Sequence, residues 1–302
     1  MDGILNINKP RGQTSFDIVA MVRRLSGERR VGHGGTLDPT ATGVLPVCLG
    51  QGTRVIEFLV DASKAYRAQI ELGVTTDTYD ASGKIIHQED PSGISRRQLE
   101  SILSSFCGLI WQTPPMYSAI KHHGKPLYQL ARAGINIERR SRLARVYRLE
   151  LIDWQPPIVT IEIECGKGTY VRSLAHDLGQ ALGCGASLTS LVRLRCSLFD
   201  IRDSVSIPQL EDAFRYGYWQ HFIYPVDVVL SHMAAMVVSE GTGQVIRDGR
   251  SLALESDNNP ALTSATNRCR VYTPDGRFIG VLRFNPERRQ WQPEKVFAPI
   301  YD

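Results

Sequence analysis

Gly32-His33-Gly34-Gly35-Thr36-Leu37-Asp38-Pro39-Thr40-Ala41-Thr42-Gly43 is the stretch on which the reading of this chain turns. Four glycines in twelve positions permit unusual backbone angles and let a ligand come close. Pro39 restricts Asp38 to extended conformations and fixes the next φ, so a carboxylate stands on a stiff turn inside a permissive loop. That arrangement suits a reactive group that must meet one substrate atom. A phosphate-binding loop would need the Walker lysine followed by Ser or Thr, which is absent. A dinucleotide fingerprint would need G-x-G-x-x-G opening a long helix, whereas Pro39 and Pro46 follow here. His33 and Asp38 are too few ligands for a metal. A carboxylate that merely caps the turn stays open on these residues alone.

Outward from the loop the pattern is mixed. Upstream, Gly3 to Asn8 reads as a strand ending in the turn Lys9-Pro10-Arg11-Gly12. Thr14 and Asp17 have capping-box spacing, Ile18, Val19, Val22 and Leu25 form a helical stripe, and Gly27 stops it. Downstream, Val55, Ile56 and Leu59 suggest a helix ending near Asp61, and Tyr66, Ala68, Ile70 and Leu72 alternate like a strand. Ser95 to Phe106 reads as an amphipathic helix, and the irregular region begins at Pro114-Pro115. Val146 to Trp154 and Ile158 to Cys165 read as a hairpin across Pro156-Pro157. Val171 to Leu182 reads as a helix and Leu188 to Phe199 as a strand. Strands and helices without regular β-α-β alternation predict an α+β fold around a mostly antiparallel mixed sheet flanked by helices. An aromatic-rich connector, Phe214 to Tyr224, precedes a compact tail. Within that tail Glu255 to Thr266 reads as an exposed loop, and the strand patterns Cys269 to Tyr272 and Phe278 to Phe284 flank a Pro274-Asp275-Gly276 turn. Residues 1–234 are therefore expected to form one domain and 235–302 a small β-rich one.

Bulk properties narrow the class. Hydrophobic residues make up 42% and charged residues 22%, ordinary for a globular protein. No run approaches the ~18 apolar residues of a membrane span, and the N-terminus lacks signal-peptide regions, so a cytoplasmic protein with no membrane partner is expected. Cys48, Cys107, Cys165, Cys184, Cys196 and Cys269 are scattered, without the spacing of a zinc site or disulfide framework. The net charge of +4 is uneven. Between Tyr117 and Glu150, Lys121, Lys125, Arg132, Arg139, Arg140, Arg142, Arg145 and Arg148 face only Glu138 and Glu150, with histidines and tyrosines interleaved. Such a patch can follow a phosphate backbone; a solvated basic surface is the plainer reading.

These residues resemble the TruB-type tRNA pseudouridine-55 synthases. The G-H-x-G-x-L-D-P-x-A-T-G pattern is similar to that family's active-site motif. Gly3-Ile4-Leu5 with Asn8-Lys9-Pro10, Lys64-Ala65-Tyr66, and Thr76-Asp77-Thr78-Tyr79-Asp80 with Gly83 resemble further motifs. Pro115 to Ala119 and Gly124 to Tyr128 resemble the insertion that grips the tRNA, placed here at 117–146, and Cys165 to Arg172 and Leu191 to Arg195 resemble the remaining motifs. The likeness spans about Gly3 to Ser197. The tail more distantly resembles a PUA-like RNA-binding module.

The resemblance implies a pseudouridine synthase catalytic domain acting on the T-arm of tRNA. The uridine flips into a pocket, its uracil detaches from C1′, rotates and rejoins through C5. Asp38 would attack C1′, stabilise positive charge there, or remove a sugar proton. Arg172 would pair with Asp38 and keep it ionised and aimed. Tyr66 would stack on the uracil with its phenol near C5. His33 would fill the gap left by the base, or else stabilise the loop. Lys9 and Tyr170 would support the pocket and Leu191 close its apolar wall. Lys121, Lys125, Arg132, Arg139, Arg140 and Arg142 would contact phosphates. No redox change or group donor is needed, so no cofactor or metal is implied, no guide RNA is expected, and a monomer is anticipated. A non-catalytic RNA chaperone, a hydrolytic glycosylase with Asp77 or Asp80 as its second acid, and a guide-dependent synthase are the rivals.

Overall fold

The computed structural model describes residues 1–253 and 267–297. The chain opens with β1 (Gly3–Lys9), α1 (Ser15–Ser26), β2 (Val31–His33), β3 (Thr42–Leu49), α2 (Ile56–Asp61) and β4 (Lys64–Leu72). A small hairpin, β5 (Val74–Thr76) with β6 (Ile85–Gln88), leads to α3 (Arg96–Ser105) and β7 (Gly108–Gln112). The basic region holds only β8 (Lys121–His122), β9 (Lys125–Pro126) and α4 (Leu127–Arg132). Then come β10 (Arg142–Gln155), β11 (Ile158–Cys165), α5 (Val171–Leu182), β12 (Ala186–Cys196) and β13 (Phe199–Asp200). The chain continues through α6 (Ile207–Tyr216), β14 (Ile223–Tyr224), β15 (Ala234–Val237), α7 (Glu240–Arg247), β16 (Arg268–Tyr272), β17 (Phe278–Asn285) and β18 (Gln290–Val296).

Local chemistry explains the boundaries. Thr14 and Asp17 form a reciprocal capping box at the start of α1, and Gly27 ends it in the left-handed region at φ 67°. Ser95 caps α3, and β10 and β11 turn across a cis Pro156-Pro157 bond.

The large sheet runs β14-β1-β3-β12-β4-β11-β10-β7, with β2 pairing β3 and β13 pairing β12. Every ladder between these strands is antiparallel except β3–β12, where Val192 faces Thr42 and Arg193 faces Gly43. The architecture is the α+β one expected, a large mixed sheet plus a C-terminal β-rich unit of order β15-β16-β17-β18.

Two apolar clusters divide one face of the sheet. Leu99, Leu103, Leu174 and Leu178 of α3 and α5 pack on Ala68, Ile70, Ile161 and Ile163. Ile18, Val19 and Val22 of α1 pack on Leu5, Ile7, Leu45 and Val47. Tyr66 and Leu191 touch both clusters, so the seam between the two cores passes through them. A third cluster joins Ile4, Val44 and Leu59 to Val281 and Phe297, and so ties the C-terminal unit to the sheet.

The structure differs from the sequence reading in two places. The glycine-rich stretch is not loop throughout: Val31–His33 is a strand, and Thr42 opens the buried strand β3, whose continuous apolar run lacks the alternation of a half-buried strand. The tail has a third antiparallel strand, β18, and a helix, α7, that short irregular patterns did not reveal. The long loop expected at Glu255 to Thr266 lies outside the described residues.

Candidate active site

Asp38 sits on the seam, at the head of a turn. Its carbonyl accepts from the Ala41 N–H at 3.1 Å with Pro39 next in line, the pattern of a Pro-containing β-turn. The turn is tied from outside. Gly12 N–H donates to the Pro39 carbonyl at 2.8 Å, and the Ser15 hydroxyl exchanges hydrogen bonds with the Leu37 backbone at 2.9 and 3.1 Å. The first residue of α1 therefore holds the loop.

Arg172, in the first turn of α5, places Nη2 2.9 Å from Asp38 Oδ2 and Nη1 3.5 Å from Asp80 Oδ2. The same Nη2 donates to the Tyr117 carbonyl at 2.9 Å, so one guanidinium joins the loop, the Asp80 turn and the start of the insertion. Its side chain is only 8% exposed, whereas that of Asp38 is 40% exposed and open to a ligand. Desolvation pushes the Asp38 carboxyl above its ordinary value, Arg172 pulls it down, and the Asp80 charge adds to the rise. A carboxylate set between desolvation and a cationic partner in a hollow is the kind of group that chemistry uses.

Asp80 is one group the sequence did not place. Its Oδ1 accepts from the Thr78 hydroxyl at 2.8 Å and from the Ser82 N–H and hydroxyl, leaving Oδ2 toward Arg172. A carboxylate surrounded by donors suits a fixed anion more than a second general acid.

Asp38 lies between two adjoining hollows. One of about 290 Å³ is lined by Lys64, Tyr66, Ser118, Tyr170, Leu191 and Arg193, with Asp38 and Arg172. The other is lined by Asp80, Ser82 and Arg11, with Asp38, Arg172 and Leu191 again shared. The structure thus brings Asp38, Tyr66, Tyr170, Arg172 and Leu191 to one cavity. Burial pushes the Tyr66 phenol up to about 12, with Arg193 opposing the rise, so the ring presents a neutral hydroxyl at pH 7. That environment suits stacking and hydrogen bonding rather than a stored phenolate. Burial likewise raises the Tyr170 phenol.

Lys9 does not line the cavity. It is fully buried beneath the turn, with Nζ donating to the Pro10 and Gln13 carbonyls at 2.8 and 2.7 Å. Burial brings its ammonium down to about 8, against the pull of Asp38. His33 does not line the cavity either; its Nδ1 accepts from the Gly35 N–H at 3.3 Å, the loop-stabilising alternative.

Arg193 is a second residue that sequence reasoning passed over. It is 1% exposed, and it donates to the carbonyls of Val44 at 2.6 Å, Gly35 at 3.2 Å and Thr36 at 3.5 Å. It thereby pins the loop two residues before Asp38. The signal was available: Arg193 stands two positions after Leu191 and so shares its face of the strand. The ladder that brings it there needs Gly43, at φ 99°, because a Cβ would lie 2.3 Å from the Arg193 carbonyl oxygen.

The insertion stands apart. Lys121, Lys125, Arg132, Arg140 and Arg142 are exposed. Arg132 lies over the Tyr128 ring. Arg139 is half-buried and donates to the Pro114 carbonyl at 3.0 Å, so its guanidinium helps fasten the insertion rather than standing free for phosphate. Among the described residues no three His, Cys, Asp or Glu side chains cluster as metal ligands, and no helix is long and apolar enough to cross a membrane.

Comparison with known proteins gives this geometry its class. The fold is shared with the Cbf5–Nop10–Gar1 complex, at a TM-score of 0.75 and 25% identity over 98% of this chain and 85% of that one. An H/ACA ribonucleoprotein bound to a substrate RNA containing 2′-deoxyuridine has the same fold, at a TM-score of 0.73 and 23% identity. The TruB family pseudouridylate synthase N-terminal domain matches residues 23–171, and the tRNA pseudouridylate synthase B C-terminal domain matches residues 172–231. A tRNA pseudouridine synthase B of Dehalococcoides mccartyi is 45% identical over 98% of this chain and 97% of its own length. Those of Heliobacterium modesticaldum and Clostridium tetani are 42% and 39% identical over 99% and 93% of this chain. The protein is thus an enzyme of the pseudouridine synthase class, an isomerase that converts uridine to pseudouridine. Within that class the chain belongs to the TruB family.

Proposed function

We propose that this enzyme isomerises the uridine at position 55 in the T-loop of tRNA, with Asp38 as its catalytic carboxylate. The observation that carries the reading is the ion pair of 2.9 Å between a half-exposed Asp38 and a buried Arg172 in a cavity that also holds Tyr66. The reaction breaks C1′–N1 and makes C1′–C5, and the proton leaving C5 is matched by one gained at N1. Atoms and electrons balance within one nucleotide, so no cofactor enters.

An everted uridine would enter the cavity with its ribose at Asp38 and its base against Tyr66 and Leu191. Asp38 then meets the sugar, by attack at C1′ or by removing a neighbouring proton. Arg172 keeps the carboxylate charged and aimed, and the neighbouring Asp80 carboxylate, held by Arg172 and its hydroxyl donors, is a fixed anion rather than a free base for water. That favours rejoining over hydrolysis, for which a second carboxylate with room for water would serve better. The exposed cations of the insertion, Lys121, Lys125, Arg132, Arg140 and Arg142, would track the phosphates of the T-arm. The β-rich unit would add an RNA contact of the PUA kind. Relatives named tRNA pseudouridine synthase B match 98% and 99% of this chain, which supports tRNA as the substrate; the reading further takes the enzyme to be cytoplasmic, monomeric and independent of a guide RNA.

The test is to treat an unmodified tRNA transcript, tritiated at uracil C5, with the purified protein and no additive. Pseudouridine at the T-loop uridine alone, with one equivalent of tritium released, is expected. Free uracil, modification elsewhere, or dependence on an added RNA would refute the respective part of the reading.

A further inference from the structure

The turn that carries Asp80 meets α5 at two points, and the chemistry described so far uses only one. Asp80 approaches Arg172. Its neighbour Tyr79 stacks on His176, with ring centroids 4.0 Å apart and planes 13° from parallel. Arg172 and His176 are four residues apart and so lie on one face of the helix. Two consecutive turn residues thus clasp two helix positions about one turn apart.

Tyr79 holds its place under unusual backbone conditions. At φ 65° it occupies the left-handed region without being glycine, a conformation that surrounding structure must enforce. Its carbonyl accepts from Leu188 N–H at 3.0 Å, and Ala81 N–H donates to the Leu188 carbonyl at 2.8 Å, which fixes the turn to β12. The ring has one main partner, His176. That imidazole keeps a buried Nδ1 without a hydrogen-bond partner. Burial, and after it the nearby Arg139 guanidinium, disfavours its proton, so it presents a neutral flat ring.

We propose that Tyr79 and His176 are positioning residues for catalysis: their stack holds the Asp80 carboxylate against Arg172, and thereby sets the aim of Asp38. The proposal rests on the reading of Asp38 as the catalytic carboxylate. A misplaced Asp80 would leave Arg172 free to swing toward the Tyr117 carbonyl, which it already contacts, and away from its best angle on Asp38. Neither residue lines the two hollows at Asp38, so RNA affinity is expected to be independent of the stack.

The experiment uses full-length enzyme, single-turnover rates on saturating tRNA, tRNA affinity and thermal midpoints. Tyr79→Gly removes the ring while suiting the left-handed backbone, so it separates aim from folding. Tyr79→Gly and His176→Leu are each expected to slow the single turnover by about tenfold, as small misplacements near reacting groups do, with affinity and midpoint unchanged. Tyr79→Phe and His176→Phe keep flat rings and should stay within about twofold of the parent. In an Asp80→Asn background Tyr79→Gly should add less than about twofold, because the two act in one line. Full speed in both ring-removing variants, or an undiminished tenfold loss on top of Asp80→Asn, would overturn the proposal. So would equal slowing by the ring-preserving pair. Asp38→Asn in the same series separates the cases: its inactivity leaves the parent reading standing, whereas turnover by it would sink that reading first.

Discussion

The cleft around Asp38 and the insertion at 117–146 are both rich in charge, yet they hold it in opposite ways. Around Asp38 four cations are buried and saturated, while Arg11 and Lys167 at the rim are exposed: Lys9 and Lys64 each bond two or more carbonyls, Arg193 three, and Arg172 two carboxylates and a carbonyl. On the insertion Lys121, Lys125, Arg140 and Arg142 are exposed, and among the described residues none of the four forms a salt bridge. Arg139 is the exception, turned inward to Pro114. Buried charge fixed by several partners cannot reorient cheaply, so it serves chemistry that needs one geometry. Exposed charge on short elements adapts to a polyanion and contributes through counterion release. The difference teaches that rate and affinity are built from separate charges in this molecule.

The sharpest way to break that separation is Asp38→Asn. Turnover should fall by about 10⁴-fold or more, the scale of losing a central catalytic group. Affinity for tRNA should hold within about twofold, because the carboxylate acts on the transition state rather than on binding. A filter-binding curve beside a tritium-release assay reads both, and comparable losses in the two would merge the regions into one functional unit. The next largest effect belongs to the insertion. Charge reversal at Lys121, Lys125, Arg140 and Arg142 together should weaken tRNA binding by about 10²-fold and flatten its salt dependence, each lost phosphate contact removing roughly 0.7–0.9 from the log–log slope. The saturating single-turnover rate should stay put. A fall in that rate with intact affinity would mean that the insertion shapes the cleft instead of the encounter.

What sequence disclosed follows the same division. The Asp38 loop, the capping box at Thr14 and the hairpin at Pro156-Pro157 are legible because each is fixed by neighbours a few residues away. The pairing of Arg172 with Asp38 spans 134 positions, and it came from resemblance rather than from pattern. Asp80 and Arg193 escaped because their roles depend on strand order: the parallel β3–β12 ladder brings Arg193 to Gly35, and the bridge between Asp80 and Leu188 fixes the turn to β12, from which Asp80 reaches Arg172. Arg139 misled for the converse reason. A run of arginines reads as one surface, and nothing local marks the member that packs inward. Strand β3 was hidden by its own burial, since a strand covered on both faces loses the alternation that identifies one.

The smallest effect is the most discriminating, because it tests the balance of charges within the cleft alone. Asp38 is raised by desolvation and by Asp80, and lowered by Arg172. If the ionised carboxylate is the working form, activity is lost as pH falls through that raised value, so the acid limb of the single-turnover rate should lie above the ordinary range of an aspartate. Removing the like charge with Asp80→Asn takes away a raising influence and should move the limb to lower pH, even as it slows the reaction. Removing the opposite charge with Arg172→Met takes away a lowering influence and should move it to higher pH. With Arg172 still held against Asp38 in the Asp80→Asn variant, the two shifts have opposite signs. Charge reversal on the exposed insertion should leave the limb in place, because those cations lie in solvent, where salt screens them within about 10 Å. Upward shifts in both cleft variants would show that losing Asp80 also releases Arg172 from Asp38. Downward shifts in both would show that a group other than Asp38 titrates, and a shift in the insertion variant would show that the two sets of charge are coupled after all.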